Sequence, residues 1–300
     1  MSLTESKLSK WFKQSLTRIS PKLNTRIVYF TKFKRPINLR RPKTLDEKIQ
    51  WLKFNTYYKN PLVTQCADKY AVRDYVKKCG CTEILNELYG VYDRVEDIPW
   101  ETLPNRFVIK WNFGCGQNLI VTDKSNLDIK KAIDKLNAWY ELRDTFYLTY
   151  SEMQYKGIPP KLICEKLIET ESGDLPVDYK LYCFNGVPDC VLVCNKRGQM
   201  ERGAEYYFFD KEWKLKRYNK RGKEASADFT IPKPEGIEKV FDYAALLSRP
   251  FPFVRADFYL EDGKITFGEL TFTPCGGFDV NRLPETQIHF GNMVNINVKK

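Results

Sequence analysis

The stretch from Arg255 to Gly277, RADFYLEDGKITFGELTFTPCGG, reads as two strands around a tight turn. Asp257 and Glu269 lie inside its apolar runs, where a carboxylate is costly unless a cation meets it. A three-residue loop over Glu261, Asp262 and Gly263, with Gly263 left-handed, pairs Leu260 with Lys264. Arg255 then stands opposite Glu269, and Asp257 opposite Phe267, so that Arg255, Asp257 and Glu269 share one face. A two-residue turn at Asp262-Gly263 would send Glu269 to the other face; the three-residue loop is the one expected. In that register the carboxylates are diagonal neighbours, about 7–8 Å apart at Cα or less. Like charges at about 4 Å repel by roughly 4 kcal/mol at an effective dielectric near 20. Arg255 offsets part of this, and a divalent cation would offset more. Oxygen donors without His or Cys suit Mg²⁺ better than zinc. A cross-strand Arg–acid cluster on a wet sheet face explains the same residues, and the stretch alone does not choose.

The rest of the chain sets this hairpin in an α+β frame. RRPKTLDEKIQWLKF begins a helix, with Thr44 and Glu47 spaced as a capping box. NPLVTQCADKYAVRDYVKKCG reads as a second helix closed by Gly80. The period then changes. RFVIKW and LIVTDK are strands on either side of the glycine loop NFGCGQN, and LDIKKAIDKLNAWYELR is a helix. PKLICEKLIE is a strand and ESGDLP a turn; DYKLYCFNG and PDCVLVCNK form a hairpin joined at Asn185-Gly186. PEGIEKVFDYAALLSRP is a helix ended by Pro250. The expected organisation is a basic amphipathic segment over 1–43, a helical part over 44–105, a subdomain with the glycine loop over 106–170, and a second over 171–300.

Composition excludes several classes of chemistry. The 300 residues hold one His, His289, so a Ser–His–Asp or Cys–His centre would have to use it, and it sits in ETQIHFGN away from any nucleophile signature. Nine cysteines, an odd number with no C-x-x-C pair, read as reduced thiols rather than a zinc site or disulfide framework. Chemistry here must rest on Lys, Arg, Asp and Glu, with or without a metal.

The net charge of +11 is uneven. Up to Lys43 there are twelve Lys and Arg residues against the single acid Glu5, and Leu8, Trp11, Phe12, Leu16 and Ile19 recur among them at helical spacing. Such a helix can lie on an anionic membrane face or pack on its own protein with its lysines in water. Nucleic acid is not expected as a partner, because no recognition fold or aromatic platform accompanies the charge. No apolar run approaches the roughly 20 residues of a membrane span, and the N-terminus lacks the apolar core of a secretory signal. A cytoplasmic protein is expected, with peripheral contact at the inner membrane face as an option.

Three further stretches join charge to strand ends or glycine. Lys110 closes a strand just before Gly114 and Gly116, glycines that allow positive φ and close backbone approach. Lys69 lies in ADKYAVRDYV. Glu165 sits among apolar residues, and Asp178 and Lys180 share one face of a strand, with Tyr179 and Leu181 on the other. Each alone has a plain alternative: a hairpin loop, a solvated helix face, a wet sheet.

In this order the pieces resemble the ATP-grasp superfamily, and most nearly the branch named for teichuronopeptide biosynthesis, found with surface-polysaccharide functions. The resemblance runs from RPKTLDEKIQWLK to GELTFTPCGG. It implies two α+β subdomains gripping ATP, behind a helical, basic N-terminal part. It implies that Lys69 and Lys110 meet the phosphates, that the Gly114–Gly116 loop closes over them, and that Glu165, Lys166 and Ile168 hold adenine, partly through backbone groups. Asp178 and Lys180 match a D-x-[RK] pair, with Lys180 also serving catalysis. RADFY and GELTF supply Arg255 to steady an acyl phosphate and Asp257, Glu269 and Thr271 to hold Mg²⁺. Thr271 stands where much of the superfamily has Asn, as in the GELTF of the branch itself.

The activity so implied is an ATP- and Mg²⁺-dependent carboxylate–amine ligase. It would join an amino acid or amine to a uronic-acid carboxylate of a surface glycan or its lipid-linked precursor. Two rivals stand beside it. A glycosyltransferase could use paired acids to bind a nucleotide sugar, although no short D-x-D motif is present. A non-catalytic adaptor could keep the fold.

Overall fold

The structure, a computed structural model, describes residues 6–170, 175–195 and 204–296. Its helices begin where the sequence places caps. Helix α1 (Lys7–Ile19) starts at Ser6, whose hydroxyl accepts from Ser9 N–H, and α2 (Pro21–Phe33) starts at Ser20 with proline in its first turn. Helix α3 (Leu45–Asn55) carries the full Thr44/Glu47 capping box. The expected second helix is two: α4 (Pro61–Ala67) and α5 (Val72–Lys78). Asp68 breaks it. Its backbone is extended (φ −82°, ψ 117°), and its carboxylate accepts from Tyr70 and Ala71 N–H, satisfying donors that a continuous helix would use internally. Lys69 therefore sits in a break rather than inside a helix.

The first sheet contains β1 (Leu88–Tyr92), β2 (Phe107–Trp111), β3 (Asn118–Val121) and β4 (Leu162–Lys166), in the order β1-β4-β2-β3 and antiparallel throughout. Its alternation separates two jobs. Phe107, Ile109 and Trp111 of β2, with Leu119, Val121, Leu162 and Cys164, point into a core closed by α6 (Ile129–Tyr140). Trp111 Nε1 donates to Leu136 O of that helix at 3.0 Å. Val108, Lys110, Asn118, Ile120 and Glu165, on the opposite face, line a cleft.

The second sheet contains β5 (Asp178–Phe184), β6 (Val187–Asn195), β7 (Glu205–Phe209), β8 (Leu215–Lys216), β9 (Phe253–Glu261) and β10 (Lys264–Thr271), ordered β10-β9-β5-β6-β7-β8. After β8 come α7 (Lys220–Glu224) and α8 (Ile237–Ser248); α9 (Pro284–Met293) follows β10. The β5–β6 turn is Asn185-Gly186 as expected, with φ of 50° and 83°. The expected ESGDLP turn falls on residues 171–176, of which 171–174 lie outside the described residues. The main core joins α3, α4, α5 and α8 to this sheet. Arg282, fully buried, ties α3 to the C-terminal part through Asp46 (3.0 Å) and Asp279 (3.0 Å). The fold is mixed helix and antiparallel sheet, as expected.

His289 is remote from the cleft and stands against Tyr218 and Phe290. All nine cysteines are free thiols. Among the described residues, no helix is long and apolar enough to cross a membrane.

Candidate functional site

A cleft of about 310 Å³ opens between the two sheets, within the roughly 300–1,000 Å³ usual for small-molecule sites. One wall is the hairpin β9–β10, and its register corrects the expectation. The turn has two residues, Asp262 and Gly263 (φ 50° and 72°), and Lys264 pairs with Glu261. That turn alone would send Glu269 to the far face. A β-bulge at Gly268 restores the parity. Phe267 pairs with Phe258, then Glu269 pairs directly with Asp257 and Thr271 with Arg255. Core-facing side chains are accordingly Ile265 and Phe267 before the bulge, Leu270 and Phe272 after it. Glycine at 268 suits this, since a Cβ there would sit tightly, 3.0 Å from Asp257 O and 3.4 Å from Tyr259 Cε2, and its neighbours would have to give by a few tenths of an ångström.

The result is a packed polar cluster. Arg255 grips Asp257 with two donors, Nε to Oδ1 at 2.7 Å and Nη2 to Oδ2 at 2.6 Å, the strong fork geometry of a guanidinium on a carboxylate. It also donates to Thr271 Oγ1 at 3.1 Å, and Thr271 in turn donates to Glu269 Oε1 at 3.0 Å. Lys180, placed opposite Asp257 by the β5–β9 register, reaches Asp257 Oδ2 at 2.9 Å and Asp178 at 3.1 Å. Asp257 is 2% exposed. Burial alone would raise its pKa, but Arg255 and Lys180 outweigh that and hold it below the usual carboxylate range. Burial would likewise depress Lys180, and Asp257 overcomes it, leaving Lys180 above the ordinary lysine value.

The acids are oxygen donors, the type a hard divalent cation takes, and both oxygens of Asp257 are engaged by Arg255 and Lys180. Three carboxylates, Asp178, Asp257 and Glu269, face two cations, Lys180 and Arg255. Glu269 Oε2 accepts no hydrogen bond among the described residues, and its side chain is 37% exposed toward the cleft. No group of three or more His, Cys, Asp or Glu with metal-holding geometry occurs among the described residues.

The opposite wall brings cations. Lys110 Nζ meets Glu165 Oε2 at 2.7 Å, and Arg73 Nη1 meets Glu165 Oε1 at 3.2 Å. Lys69 Nζ donates to Gly114 O in the glycine loop. Burial pushes the Lys69 ammonium below the ordinary lysine value; Glu269 counters this and Lys110 adds to it. Gly114 and Gly116 both take positive φ (76° and 73°). Lys166 is anchored through its backbone, N–H to Glu87 O at 3.0 Å and C=O from Asn86 Nδ2 at 2.8 Å. Among the described residues Ile168 makes no backbone hydrogen bond.

Of the residues singled out in the sequence, Lys69, Lys110, Gly116, Glu165, Lys166, Ile168, Asp178, Lys180, Asp257 and Glu269 line this one cleft. Arg255 and Thr271 lie behind it, positioned by the cluster, and Gly114 supplies a carbonyl to Lys69. Two positioning residues were not legible. Buried Asn112 pins the base of the glycine loop: its C=O accepts from Lys69 N–H, its N–H donates to Lys161 O, and its side chain bonds Pro159 O and Lys161 N–H. Arg73, four residues after Lys69 and in the first turn of α5, fixes Glu165. The apolar lining (Val108, Ile120, Leu167, Leu175 and Phe267) was also unread; strand alternation around Lys110 signals only Val108.

No curated protein matches the chain. Among solved structures it is similar to D-alanine–D-alanine ligase from Bacillus anthracis complexed with ATP, at 12% identity and TM-score 0.46, covering 77% of this chain and 63% of that one. It is similar to L-amino acid ligase from Bacillus licheniformis, at 13% identity and TM-score 0.47, covering 83% and 55%. D-alanine–D-alanine ligase from Helicobacter pylori gives 13% identity and TM-score 0.44, covering 84% and 69%. The chain thus spans somewhat under two thirds of the Bacillus ligases it matches. The family model TupA-like ATPgrasp matches residues 47–295, most of the chain and every cleft residue named above. The chain belongs to the TupA-like ATP-grasp family.

Proposed function

We propose that the protein is an ATP- and Mg²⁺-dependent carboxylate–amine ligase, with the cleft between its two sheets as the ATP site and the sheets as its gripping subdomains. The observation that carries this reading is the meeting of Asp257 and Glu269 with Lys69, Lys110 and Lys180 along one cleft, in a chain of the TupA-like ATP-grasp family. Phosphoryl transfer needs positioning and charge neutralisation more than a proton relay, and the cleft is rich in the first two.

In this reading Lys69, Lys110 and Lys180 spread the phosphate charge, and Val108, Ile120 and Phe267 offer apolar surface to the base. Glu165 holds Lys110 in place, and the linker at Lys166–Ile168 offers backbone groups to adenine. Asp257, Glu269 and Thr271 would hold Mg²⁺, which when bound neutralises phosphate charge. The acceptor carboxylate attacks the γ-phosphorus, the bond to the β-phosphate oxygen breaks, and ADP leaves with that electron pair. The amine then attacks the acyl carbon, loses a proton and expels phosphate. Arg255 would steady the acyl phosphate, and the Gly114–Gly116 loop would exclude water from it.

The acceptor we propose is the carboxylate of a uronic acid in a surface polysaccharide or its lipid-linked precursor, joined to an amino acid or amine at the cytoplasmic face of the membrane. Its support is the likeness to a branch associated with such glycans. The test is ADP release. Wild type should release ADP only with both a uronate and an amine present, and Asp257→Asn and Glu269→Gln should each reduce turnover by about 10²-fold or more. Full turnover in both variants would remove these acids from the site. Turnover of a nucleotide sugar without ATP would favour a glycosyltransferase; Mg·ATP binding without turnover over a panel of acids and amines would favour an adaptor.

A further inference from the structure

Helix α1 is amphipathic in an inverted sense. The side it turns to the protein is polar: Thr17 Oγ1 donates to Leu148 O at 2.6 Å, and Gln14 Nε2 donates to Thr145 O at 3.1 Å. The side it turns to solvent is apolar, with Leu8 75%, Trp11 61%, Phe12 50% and Ile19 78% exposed. Helix α2 shares part of the arrangement: it buries Val28 and Tyr29 against Phe278, yet it too makes a polar contact inside and leaves apolar residues outside. Its buried Asn24 donates to Thr149 O at 3.1 Å and Ser151 Oγ at 3.0 Å, while Leu23, Ile27 and Phe30 are exposed. Both helices thus rest on the segment 145–151, and the exposed apolar residues of both lie on the side away from it.

A helix folded onto its own protein buries its apolar stripe. Seven large apolar side chains left open on two adjoining helices form the kind of patch that marks an interaction surface. The charge around them says what it fits. Between residues 7 and 32 there are seven Lys and Arg residues, and from 6 to 45 not one Asp or Glu. A partner must be apolar beneath a negatively charged skin. An anionic bilayer meets both demands: its acyl boundary takes Trp, Phe and Leu, and its headgroups take the lysines. No described helix is long and apolar enough to cross the bilayer, so the contact is peripheral.

We propose that the α1–α2 hairpin docks the protein on an anionic lipid surface, with α1 lying in the interface. This rests on the helix geometry and stands apart from the ligase reading, since neither helix contributes to the cleft. The test uses the full chain without nucleotide, sedimented with vesicles of phosphatidylcholine alone or mixed with phosphatidylglycerol. The protein should pellet with the mixed vesicles, not with the neutral ones, and added salt should weaken it. Trp11→Gln/Phe12→Gln should weaken partitioning about tenfold or more while melting and ATP-dependent turnover stay at wild-type values. Lys7→Gln/Arg18→Gln/Lys22→Gln should lose the preference for anionic lipid. Equal binding to both vesicles, no binding, or wild-type binding by both variants would overturn the proposal. So would a wild-type dimer in solution that Trp11→Gln/Phe12→Gln dissociates, because a second copy would then cover this face.

Discussion

Lys53 shows what burial does to a single charge. It is 1% exposed, and its ammonium donates to Tyr150 O at 2.7 Å and Thr25 Oγ1 at 3.4 Å, tying α3 to α2 and to the segment beneath them. Burial pulls its pKa down to about 7, with Glu152 pulling the other way. In the unfolded chain the same amine keeps its proton to about 10.5. Between those values the unfolded state binds more protons, so stability rises with pH across that window and falls on acidification through it. Lys53→Met should therefore flatten the rise of melting temperature between about pH 7 and 10 relative to wild type. Parallel curves for the two proteins would show that Lys53 does not carry the effect. At this scale the sequence was partly legible. Lys110, Asp257 and Glu269 stand out because each is a charge near glycine or within an apolar run, whereas Lys69 stands out only through the family resemblance. Asn112, Arg73 and Lys53 do not, because each has a partner 49 to 97 residues away and no local pattern marks them.

The hairpin β9–β10 shows how an element carries a site. Its two-residue turn and its bulge each shift the register by one, and only together do they leave Asp257 facing Glu269. The shared face of Arg255, Asp257 and Glu269 was expected from a three-residue loop, and the structure reaches that face by a two-residue turn and a bulge instead. That route was not legible: a bulge at an unremarkable Gly268 depends on how two strands meet. Gly268→Val should favour regular pairing and press a Cβ against the Asp257 carbonyl, costing about 1–3 kcal/mol in chemical denaturation. Loss of Mg·ATP affinity should accompany it. Wild-type stability and affinity in this variant would mean that the bulge does not set the face. The break at Asp68 teaches the same point. The stretch from Asn60 to Gly80 was expected as one helix, but a side chain that caps Tyr70 and Ala71 competes with the helix and turns Lys69 into the cleft.

At the scale of the whole molecule, two sheets with separate cores face each other across the cleft, and a basic hairpin of helices sits outside it. The α+β character and the antiparallel sheets were legible from the change of period near Phe107. The exposure of the α1 apolar stripe was not, because spacing shows that a stripe exists and not which way it faces. Ligand held between the sheets stabilises both, by about 2.7 kcal/mol at a hundredfold excess over the dissociation constant. Mg·ATP should accordingly raise the melting temperature of wild type, and ATP with a chelator should raise it less. The most direct measurement of the central claim is calorimetric titration of wild type, Asp257→Asn and Glu269→Gln with Mg·ATP and with a nucleotide sugar. The account predicts that wild type binds Mg·ATP and not the sugar nucleotide, and that each substitution weakens the binding by about tenfold or more. Tighter binding of the sugar nucleotide, or undiminished Mg·ATP affinity in both variants, would contradict it.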